Sequence, residues 1–164
     1  MARIGIIGDT HGFLPAGVAR VFQGVERIIH AGDVGDIAVI RSLERIAPVT
    51  GVRGNYDTSP ELAQLLLPDP SGIEIAGLPA MLTHRMFTLG WNENKQTIAS
   101  LMAQGPSPPR LVVFGHTHFS VCEELHGIWF INPGYCGPDP LEGPKSVAVL
   151  TIEDDRISAR IIPL

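Results

Sequence analysis

Arg3-Ile4-Gly5-Ile6-Ile7-Gly8-Asp9-Thr10-His11 reads as a short buried strand that hands an acid to a loop. Its core is apolar and β-branched, without the alternation of a half-solvated strand, and it breaks at a Gly-Asp step. The pattern returns at residues 27–32, Arg-Ile-Ile-His-Ala-Gly, followed by Asp33, and at 48–54, Pro-Val-Thr-Gly-Val-Arg-Gly, followed by Asn55. Helices are expected between these runs, over 15–23 with Pro15 in the first turn and over 36–46, where Ile37, Ile40, Leu43 and Ile46 recur at helical spacing. Strand, helix, strand, helix, strand predicts a parallel sheet covered by helices, which places the chain in the α/β class.

Downstream the pattern changes. Residues 73–76 and 79–84 read as paired strands around Gly77-Leu78, 92–104 as a helix ended by Gly105 and the Pro-rich 106–109, and 110–115 as another buried strand. Strands are expected at 119–125 and 128–132 around the His126-Gly127 turn, then a Gly/Pro loop through 144, then strands at 146–152 and 156–162. These last four, joined by turns and one loop, predict a second, mixed or antiparallel sheet packed on the first.

The chain has 164 residues, 12 Lys and Arg against 17 Asp and Glu, and a net charge of −5. One domain over 1–164 is expected at this length. Charged residues are 18% of the chain and hydrophobic residues 45%, which excludes intrinsic disorder, and the acidic balance argues against nonspecific nucleic-acid binding. Cys122 and Cys136 lack the spacing of a zinc or redox motif and are expected as free thiols in a reducing compartment, with one bridge as the open alternative. The run Ile4 to Ile7 is too short for a signal peptide, and no apolar run nears the roughly 20 residues of a membrane span. A cytoplasmic address without membrane association is therefore expected. A low charge fraction with positive mean hydropathy hints at a homo-oligomer. Gly 18 and Pro 14 exceed the roughly 12% combined share of average usage, which implies many tight turns.

The polar residues just past the apolar strands are Asp9, His11, Asp33, Asn55, His84, His116 and His118. Every one can ligate a metal through carboxylate, imidazole or amide oxygen. Taken alone, Asp9 reads as a turn former before Gly12, Asp33 as the cap of a helix near Gly35, Asn55 as turn chemistry, and His84 as a satisfied strand-end histidine. His116 and His118, two apart, point the same way only where the backbone stays extended. Together the residues tell more: sites in open α/β sheets lie beyond the carboxyl ends of the strands, so five strand ends bring this set to one rim. A metal site is predicted there.

Asp9-Thr10-His11, Gly32-Asp33, Gly54-Asn55-Tyr56-Asp57, His84 and Gly115-His116-Thr117-His118, in that order, resemble the calcineurin-like metallophosphoesterase superfamily, most closely its small bacterial and archaeal phosphodiesterase branch. The resemblance spans residues 4–134 and ends in Ile131-Asn132-Pro133-Gly134. It implies a four-layer α/β/β/α fold, a two-sheet β-sandwich flanked by helices. It also implies two divalent ions, manganese first and iron, zinc or nickel as alternatives. One ion would take Asp9, His11 and His118, and the other Asn55, His84 and His116, with Asp33 bridging. Asn55 and Asp33 would take part in activating a metal-bridging hydroxide. Two such ions outweigh the carboxylates of Asp9 and Asp33 even with a hydroxide between them, so an acidic protein would present a cationic spot to phosphate. Hydrolysis of a small or nucleotide-like phosphodiester is the expected reaction. The alternatives are a protein-binding scaffold like the retromer subunit that shares this fold, and a phosphomonoesterase or phosphoprotein phosphatase.

The sequence departs from the family pattern in three places. Tyr56 stands where many members carry a histidine that resembles a general acid, so stabilised leaving groups are expected to depart more readily than alkoxides. Arg85 replaces a common glycine after His84 and reads as a phosphate-binding guanidinium, an obstruction to bulky substrates, or a solvated loop residue. Tyr135 stands where serine is frequent and reads as a packed loop aromatic or a stacking surface. Asp57 is read as orienting a ligand or loop, or as a plain turn carboxylate. Arg53 is a candidate phosphate contact. Lys95 is read as a solvated helix residue, His30 as a strand residue, and His126 as an exposed turn residue.

Overall fold

The computed structural model describes residues 1–86 and 91–164. Among the described residues, ten strands form two five-stranded sheets. The first contains β1 (Ala2–Ile7), β2 (Arg27–His30), β3 (Val49–Gly51), β9 (Ser146–Glu153) and β10 (Arg156–Pro163), in the order β10-β9-β1-β2-β3. The second contains β4 (Ser71–Ile75), β5 (Leu78–Leu82), β6 (Leu111–Val113), β7 (Val121–Leu125) and β8 (Ile128–Asn132), in the order β4-β5-β6-β8-β7.

Both faces of each sheet are covered, which is why the inner strands read as unbroken apolar runs. Successive side chains of a strand point to opposite faces. Ile6, Ile29 and Leu150 of the first sheet thus meet Leu82, Val113 and Ile131 of the second in a core between the sheets. Their neighbours Ile7, Ile28 and Val149 face outward onto Val18, Phe22, Val39, Leu43 and Leu62. On the far side Val112, Phe114 and Phe130 pack with Ala99 of the long helix. The layers are α/β/β/α, as the resemblance implies.

The helices are α1 (Gly17–Val21), α2 (Ile37–Glu44), α3 (Pro60–Leu65) and α4 (Trp91–Ala103). Asp36 caps α2 by accepting from the Ala38 N–H at 2.8 Å, so the alternative reading of Asp33 as that cap falls away. No side chain caps α1, and it is shorter than the expected 15–23. Helix α3 was not expected, although Ser59-Pro60-Glu61 carries its signal: Ser59 accepts from the Leu62 N–H at 3.2 Å, with proline in the first turn. Lys95 of α4 is not merely solvated, since its ammonium pairs with Glu123 on β7 at 2.8 Å.

One topological expectation is corrected. Strands β9 and β10 do not extend the second sheet but return to the first, where β9 runs antiparallel to β1 from Ala2↔Ile152 to Ile6↔Ala148. β2 takes only one edge of β1, and Ser146–Leu150 is buried throughout, as suits a strand between two neighbours. The hairpins close through left-handed pairs at Ala76-Gly77, His126-Gly127 and Asp154-Asp155, the backbone of tight two-residue turns. Both cysteines are free, and burial pushes the Cys136 thiol up to about 12 and Cys122 upward. No helix among the described residues is long and apolar enough to cross a membrane.

Candidate metal centre

Strands β1, β2 and β3 run parallel in the first sheet, as do β5, β6 and β8 in the second. Their carboxyl ends open on one rim, where the chain leaves as Gly8-Asp9, Gly32-Asp33, Gly54-Asn55, Thr83-His84 and Gly115-His116. Glycine at two of these exits is set by space. A Cβ on Gly115 would lie 2.8 Å from the Ala31 carbonyl oxygen and 2.9 Å from Asp9 Oδ2, and one on Gly54 would collide with the backbone nitrogen and carboxylate of Asp33.

The side chains gather in two groups. Ligand atoms of Asp9, His11 and His118 lie within 4.8 Å of one another, and so do those of Asp33, His84 and His116. Asp33 stands between the groups: its Oδ2 is 3.3 Å from His84 Nε2 and 3.9 Å from His11 Nε2, while its Oδ1 accepts from the Tyr56 N–H at 2.9 Å. Asn55 Oδ1 lies 3.0 Å from His84 Nε2, which brings the amide to the second group. The extended backbone on which His116 and His118 would point the same way is absent: both are left-handed, with φ of 70° and 61°, and the two rings join different groups. Asp9, His11 and Asp33 are left-handed too. Such a conformation costs a non-glycine residue about 1 kcal/mol or more, so the rim holds its side chains against local preference.

Electrostatics show what the groups lack. Asp9 and Asp33 are fully buried, yet Asp9 Oδ1 has no hydrogen-bond partner, although His118 Nε2 comes within 3.4 Å, and His11 Nε2 is likewise buried without a partner. Buried polar atoms without partners are rare in folded proteins. Burial works to raise the Asp33 pKa, but hydrogen bonds from His84 and the Tyr56 N–H, with the charges of His84 and His11, hold it below the usual carboxylate range. Burial also works against a charge on His84, yet Asp33 and Asp9 hold its pKa above the usual imidazole value. Asp9, against partial burial and with help from Glu142, pushes His118 up to about 9. His116 is lowered by burial and then by the charges of His84 and Arg85. Carboxylates and imidazoles turned inward with orphaned acceptor atoms fit divalent cations with a mixed oxygen and nitrogen preference.

Supporting contacts fix this arrangement. Ala31 carbonyl accepts from His84 Nδ1 at 2.9 Å, and Glu142 Oε2 accepts from His118 Nδ1 at 2.7 Å, so both rings turn Nε2 inward. Asp57 accepts from the Gly35 N–H at 2.9 Å and the Gly54 N–H at 2.8 Å, tying the Asp33 loop to the Asn55 loop. Asp69 Oδ1 accepts from the His84 N–H at 2.9 Å, and Asn132 donates to the Gly115 carbonyl and Thr117 Oγ1 at 3.1 Å each. His30, read from sequence as a strand residue, is fully buried, and burial lowers its pKa to about 4. Its Nδ1 accepts from the Gly32 N–H, which leaves Nε2 protonated toward Thr10 Oγ1 at 3.0 Å; Thr10 in turn donates to the Val34 carbonyl. Sequence reasoning assigned nothing to Glu142, which ends a short 3-10 turn over Pro140–Glu142, or to Asp69 in a loop, because neither has a spacing rule to a ligand.

Tyr56 is exposed and edge-on to His11, with ring centroids 5.1 Å apart. Tyr135 is buried, its ring 4.7 Å from that of His118, and its hydroxyl accepts from the Asp139 N–H, so it packs against the centre as a loop aromatic. Arg85 is exposed beside the second group, close enough to act on His116. Arg53 instead donates Nη2 to the Ala63 carbonyl at 2.8 Å, which ties it to α3. His126 is an exposed turn residue.

The family model of the calcineurin-like phosphoesterase superfamily domain matches residues 2–155. A probable metallophosphoesterase of Methanocaldococcus jannaschii is 31% identical over 98% of this chain and 81% of its own length. A phosphodiesterase of the same organism is 30% identical over 92% and 93%. Among solved structures, an archaeal phosphodiesterase superposes with a TM-score of 0.73 at 27% identity, covering 99% of both chains. Vps29 of Entamoeba histolytica gives the same score at 18% identity, again over 99% of both chains.

Proposed function

The chain belongs to the calcineurin-like phosphoesterase superfamily, and on that premise we propose that it is a dinuclear metal-dependent phosphodiesterase acting on a small phosphodiester. The observation that carries the proposal is the pair of ligand groups with Asp33 between them. Asp9, His11 and His118 would hold one divalent ion, and Asn55, His84 and His116 the other, with Asp33 facing both. Manganese is the first candidate, with iron, zinc or nickel as alternatives. When bound, the ions supply what no side chain here offers, a Lewis acid that makes a nucleophile from water near neutral pH and draws charge from phosphoryl oxygens.

The chain's own residues do the rest. Asp33 and Asp9 present buried carboxylates that accept positive charge, and Glu142 and Ala31 hold the imidazoles with Nε2 inward. Arg85, exposed beside the second group, supports binding of a phosphoryl oxygen, and Arg53, held by the Ala63 carbonyl, is the second candidate. No imidazole follows Asn55, so no histidine stands ready there to protonate a leaving alkoxide, which favours diesters with stabilised leaving groups. The phosphodiesterase relative points the same way. The two unpaired thiols support a reducing, cytoplasmic address.

The test is a panel of bis(p-nitrophenyl) phosphate and an alkyl phosphomonoester with manganese supplied, using wild type and Asp33→Asn. The diester is cleaved readily and the monoester poorly, and the variant loses at least a hundredfold in rate, about 3 kcal/mol of transition-state stabilisation. Comparable rates on both esters would remove the leaving-group argument. Full activity in Asp33→Asn, or none in wild type, would remove the enzyme.

A further inference from the structure

Among the aromatic side chains that the structure describes, which leave out Phe87 and Trp91, three are exposed: Phe13 at 40%, Tyr56 at 65% and Phe119 at 76%. All three lie within two positions of a candidate ligand, next to His11, Asn55 and His118 respectively. The fold does not require them. Phe22, Phe114, Phe130 and Tyr135 are buried, and Trp129 packs against the inter-sheet core. Two of the three exposed rings are also held in place: Tyr56 stands edge-on to His11, and Lys145 Nζ lies 4.9 Å from the Phe13 ring centroid. The same lysine donates to the Gly137 carbonyl, which ties that ring to the loop carrying Tyr135 and Glu142.

Scattered exposed aliphatics such as Leu65 and Leu101 are ordinary on a surface. Rings carried on the very loops that supply the candidate ligands, one of them touching His11, are a different matter. They present flat π faces and edges, and such surfaces favour planar groups over alkyl chains of similar size. Resting on the phosphodiesterase reading, we propose that Phe13, Tyr56 and Phe119 form a stacking rim for a planar substituent on the ester oxygen that is not cleaved, an aryl ring or a nucleobase. The rim sets substrate preference, while the ligand groups set reactivity.

Three substrates with one leaving group test this: bis(p-nitrophenyl) phosphate, the p-nitrophenyl ester of thymidine 5′-monophosphate, and ethyl p-nitrophenyl phosphate. In each, the P–O bond to p-nitrophenolate breaks, the oxygen of water bonds to phosphorus, and the proton passes to solvent. Differences in intrinsic reactivity cancel when each planar-to-ethyl ratio of kcat/KM is compared between wild type and variants. Phe119→Ala and Tyr56→Ala lower that ratio about tenfold, through KM, and Tyr56→Phe retains it. The arm that falls further, aryl or thymidine, identifies the planar group. An unchanged ratio in both alanine variants, or one KM for all three substrates, overturns the rim while the phosphodiesterase stands. Loss of self-association in Phe119→Ala with an unchanged ratio assigns that ring to a subunit contact and also overturns it. No hydrolysis of any substrate by the metal-supplied wild type removes the phosphodiesterase itself.

Discussion

Glu142 shows how a candidate ligand is governed from outside the motif that contains it. His84 and His118 turn the same nitrogen inward, but the outer nitrogen of His84 donates to a neutral carbonyl and that of His118 to a carboxylate. The carboxylate raises the electron density of the ring and fixes its tautomer, and removing such a partner typically costs 10–100-fold in metal affinity. Calorimetry with manganese is expected to show about tenfold weaker binding at one of two sites in Glu142→Ala. Glu142→Gln keeps an acceptor oxygen and is expected to lose less. Unaltered affinity in both would reduce the contact to a surface ion pair. At this scale the seven candidate ligands were legible, because their chemical types follow apolar runs one after another. Glu142 was not, since it reaches His118 from 24 positions away in a Gly/Pro loop. The assignment of His116 and His118 to separate groups was equally hidden in the spacing, because it rests on left-handed backbone at both residues.

Strands are the scale on which the sequence is most open. A strand buried on both faces leaves a continuous apolar run, and five such runs end in a glycine or threonine followed by a candidate ligand. Pairing is less open: β9 reads equally well in either sheet until the free edge of β1 is considered, and α3 is too short for periodicity to reveal. The glycines at the strand exits bind elements to the site. Gly54→Ala would drive a methyl group into Asp33, an overpacking that costs about 1–3 kcal/mol. Thermal unfolding should show a midpoint lowered by several degrees, and the rise in midpoint expected of wild type on adding manganese should be absent. Gly72→Ala, with nothing within 4 Å of the added carbon, should keep that rise. Equal behaviour of the two variants would mean that the β3 loop tolerates displacement.

For the molecule as a whole, the net charge of −5 is the wrong measure of what it attracts. The two sheets set their parallel strand ends side by side, so two buried acids and four imidazoles share one rim, and cations bound there would reverse the local sign. The fold alone does not establish turnover, because Vps29 of Entamoeba histolytica, at 18% identity, superposes as well as the archaeal phosphodiesterase does. Catalysis has to be measured. The most direct measurement is hydrolysis of bis(p-nitrophenyl) phosphate by chelator-stripped protein titrated with manganese, with bound metal counted in the same samples. Two cooperating ions predict negligible rate without metal and a rise that saturates only as the second ion per chain is bound. Full rate in the stripped protein, saturation at one ion, or no turnover with both sites filled would contradict it.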